Sequence, residues 1–104
     1  MAGEGIAFPF DRMRDASTLV IRLVYLARLR EAFGTPGESV ALPAGPTVTV
    51  EHVLGVLRAR GGAFATELAP GRALRVAVNH EVARLDTPVF ADAEVALFPP
   101  VTGG

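Results

Sequence analysis

The chain closes on Phe98-Pro99-Pro100-Val101-Thr102-Gly103-Gly104, and this run holds the groups with the most chemistry to offer. Two consecutive prolines fix φ and stiffen the exit from whatever element precedes them, so the last residues project instead of folding back. Gly103 and Gly104 lack a Cβ, which lets the backbone thread a narrow channel and approach a nucleotide closely. The carboxylate of Gly104 then becomes the accessible reactive group. With a pKa of about 3.5 it is ionised at neutral pH and is a poor electrophile. An ATP-dependent partner would convert it to a mixed anhydride with AMP. A sulfur nucleophile that displaced the AMP would leave a thiocarboxylate, a sulfur donor on a flexible arm.

The rest of the chain offers little chemistry of its own. It has no cysteine, hence no disulfide, thiolate nucleophile or cysteine-based metal site, and any sulfur must come from elsewhere. All ten cationic side chains are arginine, so no side-chain amine is present for a Schiff base or an isopeptide bond. His52 and His80 have no cysteine partners and no metal-ligand spacing; solvated or capping roles suit them, and no metal site is expected. Without a nucleophile–base pair or a phosphate-binding glycine motif there is no self-contained active site. A net charge of −1 lacks the basic footprint that nucleic-acid binding requires. No apolar stretch in residues 1–17 is long enough for a signal peptide or membrane span, so the chain reads as cytoplasmic.

The elements that must position the tail follow from periodicity. Residues 18–26, rich in β-branched and large apolar side chains with one charge, read as a buried strand. Residues 1–17, which mix Gly, Pro and charges without a period, read as a flexible extension before a single domain over 18–104. Residues 27–33 form a short helix or turn ending at Gly34. Residues 38–42 alternate and stop at Pro43, giving an outer strand.

The main helix opens at Thr49, with Glu51 in its first turn, and carries one apolar stripe of Val50, Val53, Leu54 and Leu57. Gly61-Gly62 reads as its stop. Residues 74–78 and 94–98 alternate as two further strands, the first followed by an Asn79-His80 turn and the second ended by the two prolines. One long helix amid these strands predicts an α+β domain. A mixed sheet of four to five strands packs on the helix, its first and last strands side by side at the centre: the β-grasp, or ubiquitin-like, fold.

If the helix covers one face of the sheet, the other is marked by the phase of Arg22, Arg75 and Glu94. The period of two places Val20, Val24, Leu26, Ala77, Ala96 and Phe98 on that same open face. Leu19, Ile21, Leu23, Val76, Val95 and Leu97 belong to the core. Phe98 stands out as large, apolar, out of phase with the core and next to the tail. Such a patch on a small protein marks a contact surface.

The run from Val95 to Gly104 resembles the C-terminal signature of the molybdopterin synthase small subunit family, the ubiquitin-like sulfur carriers of molybdenum cofactor biosynthesis. Leu26-Ala27-Arg28-Leu29-Arg30-Glu31, Thr49-Val50-Glu51 and Val76-Ala77-Val78-Asn79 extend the likeness over residues 19–104. The resemblance implies that Gly104 carries first the adenylate and then the thiocarboxylate, with Gly103 giving clearance along a tail of residues 99–104. It implies that Leu26, Val82 and Phe98 form a hydrophobic docking surface. Arg30 would make a charged contact with the activating enzyme, or be a solvated helix arginine. The implied partners are an E1-like adenylating enzyme, which consumes ATP, and the large synthase subunit, in a heterotetramer. No cofactor is held permanently. Carriers for thiamine biosynthesis or tRNA thiolation share the fold and the terminal glycines. A ubiquitin-like interaction module whose tail does no chemistry is the alternative of a different class.

Overall fold

Residues 18–100 are described by the structure, a computed structural model. A run with a single charge, Thr18–Tyr25, forms β1. It is followed by α1 (Arg28–Phe33), β2 (Gly37–Pro43), α2 (Val50–Arg58), α3 (Gly62–Glu67), β3 (Arg75–Val78), β4 (Glu81–Ala83) and β5 (Glu94–Phe98). The strands make one sheet in the order β2-β1-β5-β3-β4. The first and last strands lie side by side and parallel, with Leu23 opposite Val95 and Tyr25 opposite Leu97. Every other pairing is antiparallel. This is the expected β-grasp arrangement.

The strand phases decide what is buried. Ile21, Leu23 and Tyr25 on β1, Val76 on β3, and Val95 and Leu97 on β5 meet the α2 stripe of Val50, Val53, Leu54 and Leu57 in one core. Leu19, expected inside, is only partly buried and packs at the margin. Gly55 within α2 meets no neighbour that a Cβ would touch, so the helix is held by its stripe. At its start the Thr49 backbone N–H donates to His52 Nδ1 at 3.0 Å, which makes His52 a capping group.

Several expectations need correction. β1 ends at Tyr25, not Leu26, because the Leu29 N–H donates to the Leu26 carbonyl at 3.1 Å and closes a tight turn. The Gly61-Gly62 pair does not simply stop the main helix, which ends at Arg58. Gly61, at φ 80°, turns the chain and N-caps α3. The sheet therefore packs on one long and two short helices. β4 was not anticipated; it returns from β3 through Asn79 and His80, both at positive φ, as a two-residue hairpin requires.

α1 and α3 are tied to the sheet by an aromatic cluster. Tyr25 meets Phe33 edge-on at 4.8 Å, Phe33 stacks on Phe64 at 4.2 Å, and the Arg60 guanidinium lies 4.8 Å over the Phe64 ring. Buried Tyr25 donates its hydroxyl to Glu38 Oε2 at 2.6 Å. Arg60 grips both oxygens of the same carboxylate, at 2.7 and 3.1 Å. Thus every polar group drawn into this corner has a partner.

Candidate functional site

The face of the sheet opposite α2 is built by register. Val24 on β1 lies opposite Ala96 on β5, Ala96 opposite Ala77 on β3, and Ala77 opposite Val82 on β4. Paired residues point to the same side of a sheet, so these four form an apolar row across four strands. The two central residues of the row are alanines and its ends are the larger valines. One step toward the C-terminal end of β5, Phe98 pairs with Arg75. Phe98 is half-buried, whereas its neighbour Leu97 is fully buried on the other face.

Leu26, 43% exposed, follows β1 at this same end, where its N–H donates to the Leu97 carbonyl at 3.1 Å. Leu26 and Phe98 are thereby brought to the ends of adjacent strands. Val82, 80% exposed, stands two strands from β5 at the sheet edge, on the same face. Arg30 is exposed on α1 and makes no ion pair among the described residues. Its backbone carbonyl accepts the Gly34 N–H at 3.0 Å and so ends the helix.

The opposite end of the face is polar. Arg22 lies between Ser39 and Glu94 in register, and His80 Nε2 approaches Glu94 Oε2 at 3.8 Å. Asn79 fixes this end by accepting the Glu94 N–H on its Oδ1 at 3.0 Å while donating its own N–H to the Glu94 carbonyl at 2.8 Å. The face therefore grades from polar, at the start of β5, to mainly apolar, where Leu26 and Phe98 stand with Arg75 as their one charged neighbour in register. Pro99 and Pro100 follow, half-buried and outside any strand. Val101, Thr102, Gly103 and Gly104, expected to carry the chemistry, lie outside the described residues.

The strongest electrostatic coupling is in the aromatic corner, not on the face. Burial, reinforced by the bond to Glu38, pushes the Tyr25 phenol well above its ordinary value. The Arg60 hydrogen bonds hold the Glu38 carboxyl below its ordinary value against the opposing effect of burial. These groups are consumed in holding β1, β2 and the end of α2 together. Among the described residues no cluster of three His, Asp or Glu side chains could hold a metal ion. Among the described residues the arrangement offers a binding face, and no reacting constellation is assembled there.

Strand phase alone singles out Phe98, Val24, Ala77 and Ala96. Val82 entered only through the family resemblance, because Glu81–Ala83 is too short to show alternation. The signal that finds it is the hairpin: once Asn79-His80 is taken as a two-residue turn, register places Val82 opposite Ala77.

Known proteins share this family and fold. The model of the ThiS family matches residues 23–104. The molybdopterin synthase sulfur carrier subunit of Escherichia coli (strain K12) is 36% identical over 85 residues, which span 82% of this chain and 100% of that protein. The solution structure of the Haloferax volcanii HVO 2177 protein superposes with a TM-score of 0.72 at 26% identity, covering 86% of this chain and 91% of that one. A complex of subunits 1 and 2 of the molybdopterin-converting factor from Helicobacter pylori 26695 contains a chain of the same fold. Its TM-score is 0.53 at 20% identity, with 83% of this chain and 100% of that chain covered.

Proposed function

The chain belongs to the ThiS family, and from that premise we propose that it is a sulfur carrier of molybdenum cofactor biosynthesis. The observation that carries the reading is the end-to-end match to the E. coli sulfur carrier subunit. The apolar end of the open face, which runs directly into the tail, supports it. An E1-like adenylating enzyme in the cytoplasm uses ATP to join AMP to the Gly104 carboxylate, releasing pyrophosphate. A sulfur nucleophile then attacks the activated carbonyl, AMP leaves, and a thiocarboxylate remains. The carrier delivers this sulfur, as one of two donations, to the dithiolene of molybdopterin inside the large synthase subunit.

In this reading recognition and delivery are separate tasks. Leu26, Val24, Ala96 and Phe98 supply desolvated contact area, with Val82 extending it to the sheet edge, while the prolines aim the tail and its glycines let it enter a narrow site. The carrier and the large subunit assemble as a heterotetramer. The chain itself holds no cofactor; ATP is consumed by its activating partner.

The test is intact-mass analysis of the chain from cells that also contain the activating enzyme. Replacement of one terminal oxygen by sulfur is expected, and removal of Gly104 abolishes it. A truncated chain that still supports molybdopterin formation would overturn the reading. Co-purification with the large synthase subunit, compared with a thiazole-forming enzyme, separates this pathway from the thiamine one.

A further inference from the structure

Beneath the outer edge of the sheet, between β4 and α2, lies a groove of about 610 Å³, of which the carrier reading uses only Val82 at the rim. Four arginines border it, Arg58, Arg72, Arg75 and Arg84, against one carboxylate, Glu51; Arg75, the cross-strand partner of Phe98, meets it from the open-face side of the sheet. The whole chain has ten basic and eleven acidic side chains, so the groove gathers four of the ten and only one of the eleven. Neighbouring carboxylates offset this weakly. Glu67 is shared between Arg72 at 3.1 Å and Arg28 at 3.2 Å. Asp86 stands 3.7 Å from Arg84 with both side chains about four-fifths exposed. Arg75 makes no ion pair among the described residues. The floor is apolar, formed by Leu54, Leu68, Leu74 and Val76.

The edge beside this groove is open at Val82 alone, because the Arg84 N–H donates to Thr87 Oγ1 at 2.8 Å and the Arg84 carbonyl accepts the Thr87 N–H at 3.1 Å. In a hairpin closed by two residues, the pair flanking the turn exchanges hydrogen bonds and the next pair does not. Val78 with Glu81 is the bonded pair, and Ala77 with Val82 the other. The Val82 N–H and C=O therefore point outward from the sheet, and among the described residues no sixth strand receives them. A segment added along β4 would place alternate side chains over the groove and the others beside Val82 on the open face.

We propose that this edge and groove dock an extended acidic segment of a partner protein. Its backbone pairs with Val82, its apolar side chains reach the floor and its carboxylates meet Arg75 and Arg84. Charge complementarity selects an acidic occupant. The apolar floor selects a peptide over a bare inorganic anion. Because Val82 also closes the row Val24–Ala96–Ala77, the groove continues the open face around the sheet edge. The inference stands independently of sulfur transfer, since neither the tail nor its modification enters it.

The experiment titrates the isotope-labelled full chain with an acetylated, amidated pentapeptide of alternating Asp and Leu. Its Asn–Leu counterpart and sodium sulfate are titrated in parallel, and backbone amide shifts are followed by NMR. Shifts centred on Val82, Ala83 and Arg84, an affinity lowered at least tenfold by combined R75Q and R84Q, and loss of affinity with added salt are expected. Both arginines are exposed, so the variant's own amide spectrum verifies that the fold is retained. Absence of those shifts, equal binding of the neutral peptide or of the variant, or the same shifts from sulfate alone would overturn the proposal.

Discussion

Ala27 occupies φ 55° and ψ −134°, the first central position of a type II′ turn, where glycine is the residue without steric cost. The turn it makes, closed from Leu29 N–H to Leu26 carbonyl, re-aims the chain from β1 into α1 and leaves Leu26 exposed beside Phe98. Holding a non-glycine residue there costs about 1–3 kcal/mol, which exceeds the roughly 0.5–1 kcal/mol entropic disadvantage of glycine. Ala27→Gly is therefore expected to stabilise the domain by about 1 kcal/mol, read as a higher urea midpoint with an unchanged slope. A lower midpoint would show that the alanine methyl makes contacts worth more than the strain. Nothing in the string Leu26-Ala27-Arg28 announces this conformation, since alanine next to a helix reads as helix.

At the scale of elements, α2 and its neighbours show what was legible and why. The Val50, Val53, Leu54, Leu57 stripe was plain because four apolar residues at helical spacing have one physical solution, and all four are buried. Leu57→Ala is expected to cost about 2–5 kcal/mol in denaturant unfolding, as befits a side chain with no exposed surface. α3 and β4 were hidden for opposite reasons. The first begins at glycines, which read as a break; the second has three residues, of which Val82 faces solvent. The open face is half legible: phase supplies Phe98, the family resemblance names Val82, and strand register shows that Val82 shares its side of the sheet.

The corner where β1, β2 and α2 meet carries a pH dependence. Arg60 holds the Glu38 carboxyl below its unfolded value, so the unfolded chain binds the extra proton first. The stabilisation is complete above the unfolded carboxylate value and is lost as pH falls through the lower folded one. The urea midpoint should thus decline through the carboxylate range on acidification, and Glu38→Gln should remove that part of the decline. A variant with an unaltered acid limb would assign it to other carboxylates.

For the whole molecule, the division between a packed face and an open one decides which substitutions separate folding from recognition. Phe98 lies half-buried on the open side while Val95 and Leu97 on the same strand are fully buried. Phe98→Asp should retain a folded chain, seen as a cooperative unfolding transition, and weaken association with the proposed large-subunit partner at least tenfold. That ratio corresponds to about 1.4 kcal/mol, well within what truncating a desolvated aromatic contact removes. Loss of the cooperative transition would instead place Phe98 in the core.

The position of β5 has a bearing on how the chain matures. It is the last strand made and yet it lies inside the sheet, parallel to β1 and bonded on its other side to β3. During synthesis β1 and β2 can pair early, but β3 and β4 have nothing to join them to until residues 94–98 have emerged. Closure of the sheet thus waits on contacts between the two ends of the domain, a slow, non-local step. Chains cut short before Phe98 lack their central strand and cannot complete the core. A finished sheet is thus a record that synthesis has passed residues 94–98.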